Sequence, residues 1–152
     1  MPRAPIALAG PTGESNTLEF HARGRILCMA KDERTLVSQV KAMRALGNTI
    51  VMLRDHHALA VRDHLEGADI ILVDKIDPAK IDAALLDLSD GRLQKIRAEL
   101  AESSRAILPV VISTGKGEGD WMRLVVERTL TVNTAAAGGN PALLSLSEDT
   151  AV

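Results

Sequence analysis

Short apolar runs separated by longer amphipathic stretches constrain this chain more than any other feature. Ile26 to Ala30, Thr49 to Leu53, Ile70 to Val73 and Ile107 to Ile112 are nearly continuous in apolar character. A strand that is apolar on both sides must be covered on both sides, which is the pattern of a parallel sheet between helical layers. Pro109 weakens the last of these readings, because proline cannot donate to a ladder.

The stretches between the runs read as helices. Leu36, Val40 and Met43 form a stripe at helical spacing, with Asp32 placed to cap its start and Gly47 placed to end it. Asp55 to Glu66 reads as a second amphipathic helix carrying Leu59, Val61 and Leu65, closed by Gly67. Asp77-Pro78 predicts a third helix with Ile81, Leu85 and Leu88, since proline suits the first helical position. Asp90-Gly91 divides it from a fourth, marked by Leu93, Ile96 and Leu100. The order strand, helix, strand, helix, strand, paired helices, strand predicts an α/β fold, Rossmann-like, with a mostly parallel sheet flanked by helices.

At 152 residues the chain is long enough for one well-buried domain. Its core must be aliphatic, because Phe20 and Trp121 are the only aromatic residues. A net charge of −2 gives no electrostatic footprint for nucleic acid. The single cysteine, Cys28, excludes an intrachain disulfide and fits a reducing compartment. Pro2 and Pro5 interrupt the N-terminal apolar residues, and the longest apolar run, Ala106 to Ile112, is far short of the roughly 20 residues that span a bilayer. The expected location is cytoplasmic, with no membrane insertion.

The candidate chemistry is sparse. A dinucleotide site needs glycines in the first strand-to-helix turn, so that a pyrophosphate can approach the helix N-terminus. That turn reads Lys31-Asp32-Glu33-Arg34, without glycine and with two carboxylates where phosphate would sit. Gly115-Lys116-Gly117-Glu118-Gly119 lacks both the earlier glycine and the hydroxyl residue of a P-loop, and reads as a surface turn. Cys28 lies between Leu27 and Met29 in an expected core strand, where a thiolate has nothing to stabilise it. His57 and His64 stand about 10.5 Å apart along a helix axis, too far to share a zinc ion without help. Glu14, in a turn among Thr12, Ser15 and Asn16, has no neighbour that would tune it as a base. No catalytic, cofactor-binding or metal-binding residue is expected.

Both ends of the chain carry unusual segments. Thr129 to Asn133 alternates polar and apolar β-branched residues, as in a strand with one face buried. Thr134, Ala135, Ala136, Ala137, Gly138, Gly139 and Asn140 follow as a run of small residues bounded by hydrogen-bonding side chains. Such a run is either a flexible tail or a segment that lies close against another surface. The first 20 or so residues and the last several read as arms whose order depends on a partner.

The literal strings add to this reading. Glu127 to Leu144 closely resembles the ERxLxVNTAAAGGNxxL motif at the C-terminus of the bifunctional proline-catabolic family proline utilization A. Gly10, Pro11, Thr12, Gly13, Glu14, Ser15 and Asn16 resemble the GPTGE(R/S)N segment of that family. Arg23 to Ala30 is similar to its arginine-then-VLCLA strand, and Ala45 to Thr49 to its GN turn. The likeness runs from about residue 8 to residue 146 and is diffuse between 54 and 105. The chain departs from the pattern at Pro141 and by the extension Ser147 to Val152.

Members of that family oxidise proline with a flavin-dependent barrel, then oxidise glutamate semialdehyde with an NAD-dependent aldehyde dehydrogenase domain. Longer members carry a further C-terminal domain, aldehyde-dehydrogenase-like in fold but non-catalytic, which helps close the cavity through which the intermediate passes. The resemblance implies that this chain is that piece: a junction arm over 1–20, an α/β domain over 21–126, and a strand with a docking tail over 127–152. It implies docking through Asn133 to Asn140, a junction at Gly10 to Asn16, and the parent's dehydrogenase domains as partners. NAD and FAD would then belong to the parent enzyme and not to this segment. The alternative is a stand-alone nucleotide-binding oxidoreductase module of the same fold, against which the acidic turn at Lys31 to Arg34 argues.

Overall fold

The computed structural model describes residues 4–64, 69–102, 107–114 and 119–133. In chain order the strands are β1 (Ile6–Leu8), β2 (Glu14–Ala22), β3 (Arg25–Met29), β4 (Thr49–Leu53), β5 (Ile70–Val73), β6 (Ala83–Asp87), β7 (Val110–Ser113) and β8 (Val125–Asn133). The α-helices are α1 (Glu33–Ala45), α2 (His56–His64) and α3 (Leu93–Ala101). The described residues divide into two compact units, one within Phe20–Val126 and the other formed by Ala4–Glu19 with residues 127–133.

The first unit is an α/β layer structure. Its five parallel strands lie in the order β5-β4-β3-β6-β7. Alternate residues of each strand feed two cores. Ile26, Cys28, Ile50, Met52 and Leu85 pack with Leu36, Val40 and Met43 of α1 and Ala58 and Val61 of α2. Leu27, Met29, Val51, Ala84 and Leu86 pack with Leu93, Ile96 and Leu100 of α3. Each large aliphatic side chain buried in these layers contributes about 1.5–3 kcal/mol.

Helix α1 follows the sequence closely. The Thr35 N–H donates to Asp32 Oδ1 at 2.9 Å, the N-cap bond expected of that aspartate. At the other end Gly47, at φ 78°, donates to the Arg44 carbonyl, and the Asn48 N–H donates to that of Met43. This is a Schellman ending, which places a residue without a Cβ in the left-handed region.

Two expected elements differ. The segment with Ile81, Leu85 and Leu88 is not a helix: a 3-10 turn at Pro78–Lys80 gives way to β6, buried along its whole length. Asp77 does cap the turn through Ala79, as the Asp-Pro pair suggests. The continuous run Ala83-Ala84-Leu85-Leu86 then needs cover on two faces, which the sheet interior supplies and a surface helix does not. Leu88, assigned to the helical stripe, is instead 61% exposed beyond the strand. The fourth run also begins later, at Val110, with Ile107 exposed. Pro109 sits just before the ladder, where its carbonyl accepts from the Ala84 N–H at 2.9 Å and its missing donor costs nothing. In α2 the buried positions are Ala58 and Val61, whereas Leu59 is exposed.

The second unit holds most of a three-stranded sheet ordered β1-β2-β8. The N-terminal arm is thus strand in large part, with β1 antiparallel to β2 and Ile6 opposite Leu18. The burial expected on one face of Thr129 to Asn133 is absent: residues 127–133 are all exposed, Leu130 to 60%. The alternation is present, but no second layer within the described residues covers it. No helix among the described residues is long and apolar enough to cross a membrane.

Gly24 is the most constrained turn position. It sits at φ +128°, and a Cβ there would overlap the Asp82 carboxylate, which accepts from the Arg25 N–H at 2.8 Å. Gly24→Ala is expected to lower unfolding free energy by roughly 1–3 kcal/mol. Gly91→Ala, with nothing within 4 Å, should be neutral or slightly stabilising. Urea midpoints at unchanged slope measure both.

Candidate functional site

In an open α/β sheet the ligand crevice lies beyond the C-terminal strand ends, where the strand order reverses. Here that point falls between β3 and β6: the chain moves outward through β4 and β5 on one side and through β7 on the other. The residues that meet there are the ends of β3 and β6, the starts of α1 and α2, and the loop leading into α3.

Carboxylates occupy the positions that a phosphate would need. Asp32 caps α1, and Asp55 caps α2 by accepting from the Ala58 N–H at 2.9 Å. Asp87, 1% exposed at the end of β6, accepts from the Lys31 N–H at 3.1 Å and the Ser89 N–H at 3.0 Å. The Ser89 hydroxyl donates to it as well, at 2.9 Å. Two backbone donors of the first strand-to-helix turn, the Lys31 and Thr35 N–H groups, are therefore taken by the protein's own acids.

Arg92 closes the remaining space. Its guanidinium donates to Asp90 at 2.7 and 3.0 Å, to Asp55 Oδ2 at 3.0 Å and to the Ala30 carbonyl at 3.2 Å. These bonds tie the end of β3, the start of α2 and the loop before α3. The cavity left among Cys28, Met52, Asp55, Ala58 and Arg92 is about 10 Å³, room for one water at most.

The electrostatics follow from this packing. The Arg92 guanidinium holds Asp90 below the usual carboxylate range despite burial. Burial alone would raise Asp55, but the Ala58 N–H and Arg92 outweigh it and the carboxyl is lowered. Asp32 is lowered chiefly by the Thr35 N–H. Arg92 is in turn pushed up by its two carboxylates, and His57 adds to the ionisation of Asp32, Asp55 and Asp90.

The other candidates are placed as follows. Cys28 is 1% exposed and burial pushes its thiol up, the opposite of what a nucleophile requires. Among the described residues no group of three or more metal-type ligands converges. Glu14 is exposed, and its carboxylate accepts from the Asn16 amide at 3.5 Å. The junction residues form a turn in which the Glu14 N–H donates to the Pro11 carbonyl, with Gly13 at φ 91°. Of the docking set, Asn133 ends β8, while Thr134, Ala135, Ala136, Ala137, Gly138, Gly139 and Asn140 lie outside the described residues. An apolar groove of about 350 Å³ gathers Phe20, Ala42, Leu46, Trp121 and Met122, with His21 the titratable group in its lining.

Sequence reasoning did not find Asp55, Asp87, Asp90 and Arg92 as a cluster. A signal was available: Asp32, Asp55, Asp74 and Asp87 each stand at or just beyond the end of an apolar run. Parallel strands bring such residues to one edge.

Because Asp55 and Asp90 have lowered values when folded, they stabilise the fold above the unfolded carboxylate value, near 4. That stability is lost as pH falls through the lower folded values. Arg92→Met should therefore cost about 1–3 kcal/mol at neutral pH. It should also flatten the loss of stability on acidification, measured as unfolding free energy from pH 7 downward.

No family model matches the chain. It is 34% identical over 146 residues to the bifunctional protein PutA of Salmonella typhimurium, covering 91% of this chain and 11% of that protein. The Escherichia coli protein of the same name is 33% identical over 149 residues, with the same shares covered. The chain thus spans about one ninth of the relatives it matches, 11% of their length. Among solved structures, proline utilization A with proline bound in remote sites superposes with a TM-score of 0.54 at 21% identity, over 73% of this chain and 14% of that one. Staphylococcus aureus AldH gives a TM-score of 0.54 at 16% identity, over 73% and 28%. The fold is the one these structures share. Sequence and fold agree that this chain belongs to the proline utilization A family, as the counterpart of one short segment of its large proteins.

Proposed function

We propose that this chain is a non-catalytic C-terminal domain of a bifunctional enzyme that converts proline to glutamate through glutamate semialdehyde. In this reading it supports the NAD-dependent aldehyde dehydrogenase portion and helps close the cavity through which the intermediate passes, in the cytoplasm. NAD and FAD serve the other portions of the enzyme. The observation that carries the reading is the filled crevice: Asp32, Asp55 and Asp87 cap or accept where a cofactor phosphate would bind, and Arg92 seals the gap.

A docking role is supported by the small sheet. Ile6, Leu8, Leu130 and Val132 are between 41 and 60% exposed on strands whose alternation suits a buried face. Such a surface gains stability when another protein body covers it. We assign 1–20 as a junction arm holding Gly10 to Asn16, 21–126 as the supporting domain, and 127–152 as the docking portion. Small residues from Ala135 to Gly139 permit close backbone approach, with Asn133, Thr134 and Asn140 supplying hydrogen bonds.

Two measurements test this. Calorimetric titration of the chain with NAD should show no saturable binding, and glutamate semialdehyde should not be turned over. Saturable binding, or turnover abolished by Cys28→Ser, would favour a nucleotide-binding oxidoreductase module instead. Gly139→Val should leave the chain's melting temperature within about 2 °C of wild type, the shift that ±0.5 kcal/mol produces in a chain of this length. Joined to the proline and aldehyde dehydrogenase portions, the same variant should lengthen the lag before NADH appears from proline. An unchanged lag removes the docking role.

A further inference from the structure

The crossover from β5 to β6 is unusually short. Parallel strands are ordinarily linked by about a dozen or more residues containing a helix. Here residues 74–82 hold only the 3-10 turn Pro78–Lys80, and they bury Ile76 and Ile81 against the α3 side of the sheet. At the β4–β5 end of that face Leu53 and Val73 are only partly buried, and Ile71, on the edge strand, is 42% exposed.

The opening is a groove of about 210 Å³ with a divided chemistry. Val51, Ile71, Val73 and Ile81 make its floor, and Arg25, Lys75, Lys80 and Asp77 make its rim. Arg25 faces Asp82 at 3.6 Å and Lys80 faces Asp77 at 3.4 Å. Lys75 has no ion-pair partner among the described residues. With Asp82 counted beside Asp77, the rim carries three cations against two carboxylates over a wholly aliphatic floor, Lys75 being the uncompensated charge, and an amphiphilic anion complements both. The volume lies below the usual range for drug-sized ligands, which sets the size of the occupant.

We propose that this groove binds a small aliphatic carboxylate, its alkyl chain on Val51, Ile71 and Val73 and its carboxylate at Lys75. The site shares no lining residue with the sealed crevice and is independent of any role in a longer enzyme. Hexanoate, hexanol and acetate are the probes, titrated into the full chain while methyl NMR signals of Val51, Ile71 and Val73 are followed. Hexanoate should shift these signals saturably. Hexanol should bind about fivefold more weakly, the effect of losing one exposed ion pair, and acetate should not saturate. Lys75→Gln should weaken hexanoate about threefold and leave hexanol unchanged, and high salt should do the same. Ile71→Ser should weaken both six-carbon ligands. Absence of saturable shifts, equal binding of hexanol and hexanoate, or indifference to Lys75→Gln would each overturn the proposal.

Discussion

Strand β6 sets the terms for the α/β unit, because nothing along it reaches solvent. Ala83 to Asp87 are all buried, between β3 and β7 in the sheet and between the two core layers across it. Four of the five are apolar and satisfy that position through packing. The fifth is a carboxylate, and a buried carboxylate is tolerable only with donors aimed at it. Asp87 obtains them from Lys31 and Ser89, which fixes the path of the chain leaving β3 and the turn leaving β6. The geometry of the sheet edge follows from meeting that demand.

The same edge explains how a fold shared with dehydrogenases can exist without an open crevice. Helix starts attract anions, and α1 and α2 each satisfy that attraction internally, through Asp32 and Asp55. The resulting cluster of acids is then neutralised by Arg92, whose bonds to Asp90, Asp55 and Ala30 span three connections. Each of these residues is individually unremarkable on a surface. Gathered at one point, they form a plug that holds the layers in register and excludes solvent from Cys28 beneath.

Elsewhere the unit is less completely covered. A crossover with one 3-10 turn leaves Ile71 partly bare, where a helix would have buried it. In the second unit the alternation of β1 and β8 is that of half-buried strands, yet Ile6, Leu8, Leu130 and Val132 are exposed. Both places show a sequence patterned for contacts that the described residues do not supply.

The sequence by itself determined the local elements whose cause is local. Asp32 as a cap, the stripe Leu36, Val40 and Met43, the Gly47 stop and the strands at Ile26, Thr49 and Ile70 depend on neighbours a few residues away, and all are legible in order. Two literal strings at the chain's ends also carried the family. What the tertiary structure decided is whatever depends on residues distant in sequence. Ala83 to Asp87 is a strand because β3 and β7 stand on either side of it; alone, its Ile81, Leu85 and Leu88 spacing suits a helix equally well. The Asp55–Arg92–Asp90 cluster was invisible for the same reason: Asp55 and Arg92 lie 37 positions apart, and only parallel strand pairing brings their ends together. Short-range pattern reports which elements a segment can form, and long-range packing selects among them and assembles the site.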